Sequence, residues 1–276
     1  MTTFSFNPVT PHPLLQPYVA KMWVFESSGR LPALDKKLIV PNANFKLTFT
    51  SRNGIVARVD DNTFTQKENE LSFTGLIDTA VMLDPTDDIQ TNTILVEFNP
   101  LGAYRFFQLP YTEVKNHIVG MPDLLGKQVS GLQERIGEAK TVAGKVQLLQ
   151  NFLLKRLENA SSDLIYDFCI NRIVENKGLI TVAQLEKETG YSARWLHKKF
   201  SANLGTGAKN LAEIIRFKQF YQAYSTGADL FHLKEHIYEY YYDQSHFLKA
   251  FKRFTGSTPT DLQGGLNELA TKHYTS

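Results

Sequence analysis

Residues 243–259 read Asp-Gln-Ser-His-Phe-Leu-Lys-Ala-Phe-Lys-Arg-Phe-Thr-Gly-Ser-Thr-Pro, and they restrict the fold more tightly than any other stretch. Phe247, Phe251 and Phe254 recur at i, i+4 and i+7, which lines them along one face of a helix. Lys249, Lys252 and Arg253 fall off that stripe, and Gly256 followed by Pro259 closes the helix. Asp243, Gln244 and Ser245 supply a cap and hydrogen-bonding side chains at its start. Such a helix packs one side into a small domain. Its other side and its N-terminal end are suited to an anion.

Composition gives less direction. A length of 276 residues suggests two domains, and the polar segment 158–163, Glu-Asn-Ala-Ser-Ser-Asp, is the natural linker. We expect domains at 1–158 and 164–276. The chain has no long apolar run and a polar beginning, so a cytoplasmic protein without a membrane span is expected. Cys169 is the single cysteine, which excludes an internal disulfide and a multi-cysteine zinc site. The net charge is only +2, and residues 1–160 carry equal numbers of basic and acidic groups. A nucleic-acid footprint must therefore come from local clustering.

The first half reads as short strands at 19–25, 45–50, 55–59, 71–74, 79–83 and 93–98, with a turn signal in Ser-Arg-Asn-Gly at 51–54. This predicts a small barrel or sandwich-like β-rich domain. After residue 99 the pattern becomes helical. Residues 127–138 and 142–158 read as amphipathic helices, the second with Val146, Leu149, Phe152, Leu153 and Leu157 on one side. That stripe is the expected dimer or interdomain surface. The fold class is α+β, with flanking helices on the β-rich domain and an all-α C-terminal domain.

The C-terminal half carries one helix–turn–helix unit twice. In the first, Thr181 opens a short helix, Gly190-Tyr191 supplies the turn, and Ser192 caps a helix from Ala193 to Asn203. Leu196 and Phe200 face inward on that second helix, while Arg194, His197, Lys198 and Lys199 give it a local positive excess. Helices at 164–176 and about 209–224 precede and follow this unit.

The Asp-Gln-Ser-His-Phe entry, the Phe-Lys-Arg run and the Gly-x-Thr-Pro exit resemble the second helix–turn–helix of AraC/XylS-type transcription regulators. In the first half, Pro-x-Leu-x-Pro-Tyr-Val with Trp23, and Val-Glu-Phe-Asn-Pro-Leu-Gly-Ala at 96–103, resemble a sensor-like domain fused to some of those regulators. The resemblance implies a regulator that reads double-stranded DNA with two recognition helices and has no enzymatic activity, cofactor or metal. It places base contacts at Arg194, His197 and Lys198 in the first unit, and the corresponding residues of the second are Gln244, Ser245, His246, Leu248 and Lys249. The neighbouring basic residues Lys199, Lys252 and Arg253 are expected to add DNA contacts through their charge. The resemblance also implies a small effector in the N-terminal domain, a homodimer and RNA polymerase as a further partner. Trp23, Phe45, Phe49, Phe98, Tyr104 and Arg105 are the candidate effector contacts, although an aromatic set on strands equally fits a plain core and Arg105 a helix surface. An alternative makes the N-terminal domain a ligand-free dimerisation or protein-interaction module.

Two departures from the family pattern stand out. Before the second turn, Tyr240 occupies the position of a glycine and Glu235-His236 that of a buried apolar pair. A bulky residue in a left-handed turn costs about 1 kcal/mol, so the turn is remodelled or the helix slides. The same segment supplies a rival chemistry, because His232, Glu235 and His236 match the His-x-x-Glu-His pattern of a zinc hydrolase. No acidic third ligand with a matching context follows.

Overall fold

The computed structural model describes residues 3–28, 38–84, 91–225 and 237–263. Its first half is built from two antiparallel sheets. Six strands form the larger sheet, in the order β1 (Thr3–Pro8), β2 (Val19–Ser28), β9 (Thr91–Phe98), β4 (Phe45–Arg52), β7 (Glu70–Thr74) and β10 (Ile118–Gly120). The smaller sheet orders β3 (Leu38–Ile39), β8 (Val81–Asp84), β5 (Ile55–Val59) and β6 (Asn62–Gln66).

Alternation explains how the larger sheet is used. Phe45, Leu47 and Phe49 of β4 pair with Phe98, Val96 and Ile94 of β9, and all six are buried. They join Phe106, Phe107, Leu149 and Leu153 in the main core. Lys46, Thr48 and Thr50 point the other way, with Glu97, Leu95 and Thr93 opposite them. Between the sheets Ile39, Ala57, Val59, Ile77 and Val81 form a second, smaller core.

Helices cover the main core: α1 (Pro100–Phe106), α2 (Tyr111–Val114), α3 (Met121–Leu125), α4 (Lys127–Glu138) and α5 (Val142–Glu158). Asn99 caps α1 by accepting from the backbone of Leu101 and Gly102. Leu149 and Leu153 are fully buried within the chain. The apolar stripe of α5 is therefore a core face, which corrects the expectation of a dimer surface there. Burying those side chains against their own sheet removes the exposed patch that would have required a partner.

The second half is helical: α6 (Leu164–Glu175), α7 (Val182–Thr189), α8 (Ala193–Leu204), α9 (Ala208–Ser225), α10 (Gln244–Thr255) and α11 (Pro259–Gln263). The fold class is thus α+β, β-rich first and helical second. One continuous core runs from Leu15 through the sheet and helices to Leu262. The seam between the two halves carries specific bonds. Tyr166 Oη donates to the Pro100 carbonyl at 3.2 Å, and both Tyr104 and Arg105 bond the Asp167 carboxylate. No helix among the described residues is long and apolar enough to cross a membrane.

Candidate nucleic-acid interface

The first helix–turn–helix unit is fixed by local chemistry at every joint. Thr181 and Gln184 form a reciprocal capping box at the start of α7. Gly190 ends α7 in the left-handed region at φ 75°. A Cβ there would meet nothing within 4 Å, so only backbone strain selects glycine. Ser192 then caps α8 by accepting from Trp195 N at 3.3 Å. Leu196, Phe200 and Leu204 are buried, and Phe200 packs on Tyr166 with ring centroids 5.2 Å apart. Gly205 closes α8 at φ 83°, where a Cβ would lie 2.3 Å from the Tyr111 carbonyl oxygen of α2. This close approach docks the end of α8 on the β-rich half.

With that face buried, α8 presents Arg194, His197 and Lys198 to solvent. These three are brought together as the sequence predicts. Lys199 is not part of the group. Its amine pairs with Asp163, the cap of α6, at 2.6 Å and lies over the Trp195 ring. Glu186 is a residue that sequence reasoning missed. Its carboxylate accepts from the Ala193 backbone N–H at the start of α8, adding a negative charge beside the basic face. A cap contributed from the preceding helix, seven residues back, has no signature in the sequence of α8 itself.

In the second unit, a helical turn at 237–240 leads to Tyr241, whose N–H donates to the Ile237 carbonyl at 2.8 Å. No residue from Ile237 to Asp243 has a positive φ. The turn is therefore remodelled, and Tyr240 avoids the left-handed strain expected of it. Tyr241 is buried instead, against Phe247 at 5.4 Å and His246 at 5.5 Å between ring centroids. Asp243 caps α10 by accepting from His246 N at 2.7 Å. Phe247, Phe251 and Phe254 are buried, and Gln244, Ser245, His246, Lys249 and Lys252 are exposed. Leu248 adds an exposed apolar side chain to this face.

Arg253 stands apart from this group. Its guanidinium donates to Asp78 at 2.8 Å, Asn210 at 2.6 Å and Glu213 at 3.0 Å, so it is directed at the seam between the halves. His232, Glu235 and His236 lie outside the described residues, as does Leu233.

The effector contacts expected on the first half are redistributed. Phe45, Phe49 and Phe98 fill the main core beneath the helices, and Trp23 packs on Phe6 on the opposite sheet face. None of them lines the cavity that lies between the two sheets. That cavity measures about 130 Å³ and is bounded by residues including Phe25, Lys46, Ala57, Phe64 and Ile118. Phe45, Phe49 and Phe98 thus take the plain-core role that an aromatic set on strands also allows. Tyr104 and Arg105 instead border an open groove between α1 and the α4–α5 hairpin, of about 950 Å³. Both are engaged by Asp167. At one end of the inter-sheet face, Glu97 accepts from Asn42 at 3.2 Å and Asn44 at 2.9 Å, with the Lys46 amine 3.9 Å away.

No curated protein matches the sequence. Among solved structures, the chain is similar to ToxT from Vibrio cholerae. One ToxT structure, described as bound to an unsaturated fatty acid, is 12% identical with a TM-score of 0.49, covering 95% of this chain and 99% of that one. Another is 10% identical with a TM-score of 0.45, covering 95% and 97%. The AraC-like transcriptional activator CuxR is 14% identical with a TM-score of 0.24, covering 82% and 89%. Residues 7–120, which hold both sheets except most of β1, match the family model of a domain of unknown function, DUF6597.

Proposed function

We propose that the chain is a sequence-specific DNA-binding transcription regulator of the AraC/XylS type, with residues 164–276 as reader and 1–158 as sensor. The single observation that carries this reading is the geometry of α8. Its apolar face is locked, its N-terminus is capped, and Arg194, His197 and Lys198 stand together in solvent on the other side. A rigid helix with a bidentate donor and two further polar groups matches what the major groove requires. The second unit adds Gln244, Ser245 and Lys249 at the N-terminal half of α10. Base reading falls mainly to the first unit, since Asp243 sits at the mouth of the second.

The sensor role rests on the inter-sheet cavity. Apolar cavities of about 150 Å³ hold a benzene-sized ligand, and this one is of that order. An effector there would be small and mostly apolar, with Lys46 within reach of one polar group. Selection of binding sites from a random duplex pool by the full chain tests the regulator reading. The expected outcome is enrichment of one consensus that Arg194→Ala degrades. Recovery of a pool with no shared sequence would reject it.

A further inference from the structure

Asp78, in the loop after β7, is a carboxylate that bonds side chains from both halves. It is 5% exposed. Its Oδ1 accepts from Asn116 Nδ2 at 2.8 Å, and its Oδ2 accepts from Asn210 Nδ2 at 2.7 Å. The same Oδ2 takes the Lys115 amine at 2.7 Å and Arg253 Nη2 at 2.8 Å. Lys115 and Asn116 belong to the β-rich half. Asn210 lies on α9, and Arg253 lies on the last turn of α10. Glu213 of α9 holds the remaining side of the guanidinium at 3.0 Å. Nothing within the reader alone accounts for this arrangement, because its central group comes from the other half.

The placement has a cost for DNA binding. Arg253 follows Lys252 on the helix that also carries Lys249, so it belongs to the same basic run. A guanidinium held between two carboxylates, one of them buried, is already neutralised and hydrogen-bonded. It must leave Asp78 before it can neutralise a phosphate. We propose that Asp78 is a latch through which the β-rich half withholds Arg253 from the DNA backbone and so holds the second unit below its full affinity. This rests on the regulator reading above and adds its regulation. The latch also adjoins the cavity wall, since Ile77, the preceding residue, lines the inter-sheet cavity.

The test uses the full chain and the salt dependence of its affinity for duplex DNA. Asp78→Asn keeps the shape of the side chain and removes its charge. It should tighten binding and steepen the log–log salt slope by about 0.9, the increment of one added phosphate contact. Asp78→Asn combined with Arg253→Gln should return the slope to the wild-type value. Arg253→Gln alone should leave the slope unchanged, because the latched arginine makes no phosphate contact. An unchanged slope in a folded Asp78→Asn protein overturns the latch. So does a gain that survives Arg253→Gln, which would come from loosened halves. A slope flattened by about 0.9 in Arg253→Gln alone also overturns it, and that measurement does not depend on Asp78→Asn folding. Failure of the wild-type chain to bind any duplex rejects the regulator reading itself.

Discussion

Arg194 and Lys249 stand on equivalent exposed faces but should fail differently. Arg194→Ala is expected to cost about 1–3 kcal/mol on the selected site and to relax preference at its base pair, as for a lost bidentate contact. Lys249→Ala should weaken specific and scrambled DNA nearly equally, since a phosphate contact carries little sequence information. Titrating both variants on both duplexes checks this, and a larger loss of specificity in Lys249→Ala would reverse the ranking of the two units. The two left-handed glycines make a second pair. Gly190→Ala meets open space and should cost only backbone strain, about 1–2 kcal/mol. Gly205→Ala adds a collision with the Tyr111 carbonyl oxygen and should cost visibly more in urea unfolding. Cys169 is fully buried, and burial pushes its thiol up to about 11. It should react with a thiol reagent near neutral pH only after unfolding. The exposed basic residues of α8 were legible because each is placed by its own helix. The partners of Lys199 and Arg253 were not, because Asp163 and Asp78 approach from elsewhere in the chain.

Among the elements, α4 and α5 were readable to their ends, since a 3.6-residue apolar period survives in 127–138 and 142–158. What the period could not say was which surface the apolar side meets. Leu149 and Leu153 lie in the core, so Leu153→Ala should cost about 2–5 kcal/mol of stability. Leu153→Glu should unfold the protein, and recovery of a folded monomer from it would contradict the buried placement. β6 escaped sequence reading because Asn-Thr-Phe-Thr-Gln has no apolar alternation. Its hydrogen bonds to β5 and its place at the sheet edge create it. The turn before α10 was readable as irregular, and Tyr241 shows how the irregularity is absorbed. The chain continues as a helical turn and then buries the next tyrosine, so no residue needs a left-handed conformation.

At the scale of the whole molecule, the passage from strands to helices was visible in the change of periodicity after residue 99. The continuity of the core across the seam was not, since each contact joins residues far apart in sequence. Acid should act on that seam. Burial alone would raise the Asp78 pKa, but Lys115, Asn116 and Asn210 outweigh it and hold the carboxyl below its ordinary value of 3.8. A carboxylate whose folded pKa is depressed stabilises the fold fully at neutral pH. That contribution is lost as pH falls through the unfolded value and then the folded one. Wild type should therefore lose more stability than Asp78→Asn on acidification from about pH 5 downward, as read by thermal unfolding. On the proposed reading, local basic helices on a nearly neutral chain bind DNA. If about four to six phosphates are neutralised, the affinity of the full chain for its selected duplex should fall with salt at a log–log slope of about −4 to −5. A folded protein that binds no duplex pool at low salt, or binds with a slope near zero, would contradict it.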